Sequence, residues 1–149
     1  MDNQICEIMV SYKPFIPSNE QPLIQSAEDA FSAVLPYFDD DTIHLQEQFI
    51  VLYLNRANRV IGGYKISVGG ITGTVADIRL ILSVALKSAA TGMILSHNHP
   101  SGSLKPSYQD EQLTQKIKQA AEWMDIKVID HLILNGQGGF FSFAEEGLL

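Results

Sequence analysis

His97 and His99 stand two residues apart in the stretch Ser96-His97-Asn98-His99-Pro100-Ser101-Gly102-Ser103-Leu104-Lys105-Pro106-Ser107-Tyr108-Gln109-Asp110. On an extended backbone, residues i and i+2 project to the same side. Pro100 biases His99 away from the helical region, so the spacing holds and both imidazoles converge on one point. Asp110, at the third position of the helix expected after Ser107, lies where the chain folds back and supplies an oxygen ligand. Two histidine nitrogens and one carboxylate leave a position for water, the composition of a catalytic rather than a structural zinc site. Zinc held this way lowers the pKa of its water from about 15.7 toward about 7, making a nucleophile available at neutral pH. Such chemistry also needs a proton acceptor, and Glu47, just before the apolar run Phe49 to Leu54, is a carboxylate suited to it. Ser107 could direct its hydroxyl at a developing oxyanion.

Each of these residues also has a plainer reading. Ser107-x-x-Asp110 is the wording of a helix N-terminus, with the serine as N-cap and the aspartate favoured by the helix dipole. A single histidine in a loop is more often a loop residue than a ligand, and Glu47 between Gln46 and Gln48 is by default a solvated residue at a strand entrance. The joint occurrence at fixed spacing, directly after an apolar strand, is what favours chemistry. His131, alternating with apolar neighbours in Ile129-Asp130-His131-Leu132, is expected to be a hydrogen-bonded strand residue. His44 has no constellation around it, and Cys6 lies far from the motif.

The elements that must position these groups follow from periodicity. Ile5 to Tyr12 has strand composition, broken by Pro14 and Pro17, so residues 1–24 read as a strand plus an irregular arm and residues 25–149 as the main domain. Ala27, Ala30, Phe31, Val34 and Leu35 form one helical face, with Ser26 as N-cap and Pro36 near the stop. Phe49 to Leu54 and Val60 to Val68 flank the turn-prone Asn55-Arg56-Ala57-Asn58 as a hairpin. A glycine-bearing loop around Gly69 to Gly73 precedes a second helix, carrying Ile78, Leu80, Ile81, Val84, Ala85 and Leu86 and ending near Ala90. Gly92 to Ser96 reads as a buried central strand whose end delivers His97. A polar loop over residues 100–106 leads to a helix from Tyr108 to Trp123, then strands Ile126 to Leu134 and Phe140 to Phe143. The order β-α-β-β-α-β-α-β-β mixes hairpins with crossovers and implies an α+β fold, a mixed sheet flanked by helices. The Gly69–Gly73 and 100–106 loops are candidates for lining a cleft.

Composition narrows the class. The chain has 149 residues, 46% hydrophobic and 18% charged, enough for one core that needs neither disulfide nor structural metal to fold. One cysteine excludes an internal disulfide and a Cys-rich zinc ribbon and points to a reducing compartment, so the cytoplasm is the expected location. The N-terminus has no basic region followed by an apolar run, and no stretch of about 18 apolar residues suits a bilayer, so no membrane partner is expected. Ten Lys+Arg against seventeen Asp+Glu give a net charge of −7, with the cations scattered. That balance counts against a strong nucleic-acid surface.

The pattern His97-x-His99, seven residues, Ser107, two residues, Asp110 resembles the JAMM motif of the MPN/JAB metalloprotease superfamily. His97-Asn98-His99-Pro100-Ser101-Gly102, Pro106-Ser107-x-x-Asp110, Asp130-His131-Leu132-Ile133 and Ser142-Phe143-Ala144-x-x-Gly147-Leu148-Leu149 together resemble the RadC-like JAB-domain family over roughly Gln46 to Leu149. The resemblance implies a curved mixed β-sheet flanked by helices, the cytidine-deaminase-like fold, with one zinc ion at one end. It also implies His97, His99 and Asp110 as zinc ligands, Glu47 as the catalytic glutamate and Ser107 as the oxyanion-stabilising serine. Many RadC-like chains carry an N-terminal helix-hairpin-helix module, for which about 45 residues before Glu47 leave no room. The stretch Gly73 to Arg79 lacks the Pro-Arg-Glu wording common in longer members, leaving the role of Arg79 open.

Two functions of different class follow. One is a zinc-dependent hydrolase of a peptide or isopeptide bond, with a peptide or protein as substrate. The other is a non-catalytic module in DNA repair or recombination, marked by salt-sensitive DNA binding and ranked lower on the acidic balance. A nuclease of the HNH type, suggested by His97-Asn98-His99, is discounted because that motif is dispersed rather than contiguous. The sequence specifies neither the substrate nor the oligomeric state.

Overall fold

In the computed structural model, which describes residues 4–70 and 75–149, the most apolar runs become the centre of a five-stranded sheet. Strands β1 (Gln48–Leu54) and β3 (Gly92–Asn98) are buried along their whole lengths. They pair antiparallel, Phe49 opposite His97 and Leu54 opposite Gly92. β2 (Val60–Val68) forms a hairpin with β1, β4 (Lys127–Leu134) runs parallel to β3, and β5 (Phe140–Ser142) closes the far edge, giving the order β2-β1-β3-β4-β5. This is the expected mixed sheet of an α+β fold.

Because a strand alternates its side chains, a sheet whose middle strands are apolar on both faces needs cover on both. Odd-numbered Phe49, Val51 and Tyr53 meet Ile81, Ala85, Ile117 and Ala121 from helices α2 (Ile78–Lys87) and α3 (Tyr108–Glu122). Even-numbered Ile50, Leu52 and Leu54 meet Ala30, Phe31 and Val34 of α1 (Ala27–Val34), together with Phe38 and Ile43. Ser26 caps α1 as expected, its hydroxyl accepting from Asp29 N–H at 3.1 Å.

Strand β4 carries an irregularity that matters for the site. Met93 pairs with Val128 but Ile94 pairs with Asp130, so Ile129 is an extra residue, a β-bulge. The bulge reverses the alternation. Val128 joins the α2/α3 layer, whereas Leu132 and Leu134, also even-numbered, join the α1 layer. His131 thereby turns to the same face as His97.

Three expectations are corrected. Ile5 to Tyr12 is not a strand: the segment is exposed and pairs with no strand among the described residues, although Tyr12 anchors it by donating its hydroxyl to the Ile61 carbonyl at 2.8 Å. Strand-forming side chains hold an extended backbone only when a ladder partner takes up its N–H and C=O groups, so composition alone misleads here. α2 stops at Lys87, short of Ala90, because Ala89 takes a left-handed φ of 54° and Ala90 N–H reaches back to the Ala85 carbonyl. β5 ends at Ser142, before Phe143, whose N–H bonds to the His131 carbonyl. In the Gly69–Gly73 loop, Ile71, Thr72 and Gly73 lie outside the described residues.

Candidate metal centre

β3 runs two residues beyond Ser96, so His97 lies within the strand, and His99 N–H still bonds to the Leu134 carbonyl at 2.9 Å. The extended backbone therefore persists through both histidines and places their rings together. Their Nε2 atoms are 3.0 Å apart. Beyond them the chain turns, with Gly102 at φ 85° donating its N–H to the His99 carbonyl. The loop then returns to start α3 against the same point.

The start of α3 is a capping box. Ser107 Oγ accepts from Asp110 N–H at 3.1 Å, and Asp110 Oδ2 accepts from Ser107 N–H at 2.7 Å. The N-cap reading of this pair is realised, and the same turn brings the Asp110 carboxylate to the two imidazoles. Asp110 Oδ1 lies 3.3 Å from His97 Nε2 and Oδ2 lies 3.3 Å from His99 Nε2. The three donor atoms of His97, His99 and Asp110 lie within 4.8 Å of one another, a geometry able to hold a metal ion. Ser107 is exposed and its hydroxyl oxygen is engaged by the helix start, leaving its proton to donate.

The donor chemistry suits a cation. His99 Nδ1 faces the Ser103 carbonyl at 2.8 Å, and since a carbonyl only accepts, Nδ1 carries a proton. In neutral His99 the lone pair is then on Nε2, toward Asp110. Two imidazole nitrogens at 3.0 Å beside a carboxylate are held apart by either a shared proton or a metal ion. The local pKa values agree. Its hydrogen bond to Asp110 raises the His99 pKa against the opposing effect of burial, and the Ser103 carbonyl adds to the rise. Burial pushes the Asp110 carboxyl up, but the imidazoles of His97 and His99 beside it overcome this and hold it well below the ordinary carboxylate range.

Glu47 sits half-buried just ahead of β1. Burial raises its pKa, and the charges of His97, Asp110 and His99 all act on it. Its backbone is fixed on both sides by Asn98, the residue between the two histidines, which points the other way. Asn98 Oδ1 accepts from Gln48 N–H at 2.7 Å, and Asn98 Nδ2 donates to the Gln46 carbonyl at 2.9 Å and the Ile43 carbonyl at 2.6 Å. The Glu47 carbonyl in turn accepts from Gly69 N–H at 2.7 Å. The same three-residue segment at the end of β3 thus presents both imidazoles and clamps the segment bearing the carboxylate.

Sequence reasoning gave Asn98 no role, and only the position between two same-facing histidines hints at one. It also missed Thr114, one helical turn beyond Asp110. His131 is the buried, hydrogen-bonded strand residue expected, 2.8 Å from His97 Nδ1, and burial drives its pKa well below the ordinary imidazole value. Arg79 is exposed, and its Nε lies 3.6 Å from Asp77 Oδ1 at its own helix cap. Among the described residues no helix is long and apolar enough to cross a membrane.

Comparison with known proteins places the same region in context. The model of a family described as RadC-like JAB domain matches residues 24–148. A UPF0758 protein of Flavobacterium johnsoniae is 46% identical over 125 residues, covering 84% of this chain and 53% of that protein. One from Porphyromonas gingivalis is 43% identical over 137 residues, 90% of this chain and 59% of that protein. The chain spans about half the length of these curated relatives.

Proposed function

The chain belongs to the RadC-like JAB domain family, and from that premise we propose that it is a metal-dependent hydrolase of a peptide or isopeptide bond, with His97, His99 and Asp110 holding one zinc ion. The convergence of two imidazole nitrogens and a carboxylate beside the half-buried Glu47 carries this reading. Bound zinc supplies Lewis acidity and lowers the pKa of water to about 7.

The chain's own residues supply the rest. Glu47 takes a proton from the attacking water as its oxygen bonds to the carbonyl carbon, then returns it to the leaving nitrogen as the C–N bond breaks, leaving a carboxylic acid and an amine. Burial raises the Glu47 pKa, which brings the carboxylate nearer to a useful base at neutral pH. Ser107 donates its free hydroxyl proton toward the carbonyl oxygen as negative charge builds there. With a net charge of −7, a peptide fits better than a nucleic acid as the bound polymer.

The test begins with elemental analysis of the purified protein and of a His97→Ala, His99→Ala double variant. About one zinc per chain, lost in the variant, is expected. The loaded protein is then incubated with quenched fluorogenic peptides and with a lysine-branched isopeptide. Glu47→Gln should retain zinc and lose turnover. A wild type that takes up no metal when zinc is supplied overturns the reading and directs attention to salt-dependent DNA binding. Full activity in Glu47→Gln removes that residue from the reaction.

A further inference from the structure

Behind the metal-binding cluster runs a chain of short contacts that none of the three candidate ligands needs for its own placement. Asp110 C=O, Thr114 Oγ1, His131 Nδ1, His131 Nε2 and His97 Nδ1 follow one another from α3 through β4 to β3. The successive separations are 2.6 Å from Thr114 Oγ1 to the Asp110 carbonyl, 2.6 Å from Thr114 Oγ1 to His131 Nδ1 and 2.8 Å from His131 Nε2 to His97 Nδ1. His131, Thr114 and His97 are all essentially inaccessible to solvent, so water does not stand in for a missing partner.

The direction of this chain is determined by counting protons. Every polar contact this short needs a hydrogen between its two atoms. The Asp110 carbonyl has none to give, so the Thr114 hydroxyl spends its single proton there. The contact from Thr114 to His131 must then be filled by a proton on His131 Nδ1. In a neutral imidazole that leaves Nε2 as an acceptor, so the contact with His97 is filled by a proton on His97 Nδ1. His97 is left with a bare Nε2, the atom 3.3 Å from Asp110 Oδ1 and 3.0 Å from His99 Nε2, so without a metal the proton in that last contact is one that His99 carries. The rings are also held in place sterically. Phe143 stacks on His131 with centroids 4.7 Å apart, and Phe49 lies parallel to His97 at 6.0 Å.

We propose that Thr114 and His131 are positioning residues that lock His97 in the tautomer protonated on Nδ1, so that its Nε2 lone pair is presented to the metal before the metal arrives. The inference rests on the metal-binding reading above, and it explains why a histidine that is not a ligand sits in a fully buried position. Its anchor is the backbone of Asp110, itself a ligand, so the relay also ties the helix carrying one ligand to the strand carrying another. Partners that fix the far nitrogen of a ligating histidine typically change metal affinity by 10–100-fold when removed.

The test uses Thr114→Val, which keeps the shape and removes the hydroxyl, with Thr114→Ser as the conservative control. Long-range 15N–1H NMR of the imidazoles in the metal-free protein at pH 8 reports which nitrogen carries each proton. Chelator competition reports zinc affinity, and thermal unfolding confirms that each variant folds. Wild type and Thr114→Ser should show His97 and His131 both protonated on Nδ1. Thr114→Val should lose that single pattern and bind zinc about 10–100-fold more weakly. A His97 proton on Nε2 in the wild type overturns the relay. So does a folded Thr114→Val with wild-type spectra and zinc affinity within twofold. If the wild type binds no zinc, the metal reading fails, and the ring-proton pattern still decides whether the relay exists.

Discussion

Asn98→Ala is the most informative single substitution outside the candidate ligands. The side chain satisfies three backbone groups at once: Gln48 N–H, and the carbonyls of Gln46 and Ile43. An unpartnered buried polar group costs about 1–3 kcal/mol. The contact with Gln46 is only partly buried, so water recovers some of its share. The expected loss is therefore about 3–5 kcal/mol, a large fraction of the 5–15 kcal/mol that stabilises a typical domain. Urea unfolding reads it directly, and with a slope of roughly 2 kcal/mol per molar the midpoint falls by about 2 M. Asn98→Asp keeps the acceptor for Gln48 but sets a carboxylate against two carbonyl oxygens, so it should be destabilised at least as much. Amide exchange at Gln48 should accelerate in both, because its acceptor is lost or disturbed. A midpoint shift equivalent to less than about 0.5 kcal/mol, with Gln48 still protected, would refute the clamp.

Two further predictions concern the same neighbourhood. Ser107→Ala removes the helix cap and should cost about 1 kcal/mol; if its proton also stabilises the oxyanion, turnover falls about 10²–10³-fold while zinc stays bound, whereas a stability loss with unchanged turnover confines Ser107 to capping. The buried, neutral His131 should make stability depend on pH. Because its folded pKa is lowered, the unfolded chain takes the proton first, so its contribution is complete above about pH 6.5 and shrinks as pH falls, by at most about 1.4 kcal/mol per pH unit. His99, raised by Asp110, works in the opposite sense, with a contribution complete below about 6.5 and lost as pH rises. The difference between wild type and His131→Gln in metal-free protein isolates the first effect, and a difference that stays constant from pH 7.5 to 5 would refute it.

What was readable in the sequence is what depends on local spacing. His97 and His99 converge because an extended chain repeats every two residues, and Asp110 follows because Ser107 can only be a helix start there. The capping box realises the helix-start reading of that serine and aspartate and sets the carboxylate beside the imidazoles. Glu47 entered as a carboxylate just ahead of an apolar strand and through resemblance, and nothing near it in sequence says that Asn98, 50 residues away from Gln48, will clamp its flanks. The relay through Thr114 and His131 was invisible for the same reason: it joins a helix to a strand 17 residues on, across a parallel pairing that no local pattern encodes. Ile5 to Tyr12 failed in the opposite way, its composition being right for a strand but its partner missing among the described residues.

The bulge at Ile129 gives the fold a kind of reading frame. Upstream of it the even-numbered side chains of β4 face α2 and α3; downstream the odd-numbered ones do, and His131 is the first histidine to profit. Losing the codon for Ile129 would close the bulge and still leave His131 opposite Leu95, with its imidazole behind His97. A slip that kept Ile129 in the ladder, opposite Ile94, would instead set His131 opposite Ser96 and swing the imidazole to the layer of α1. A search for the motif His97, His99, Ser107 and Asp110 would pass such a chain as intact, while the proton pattern behind its candidate metal site had been erased.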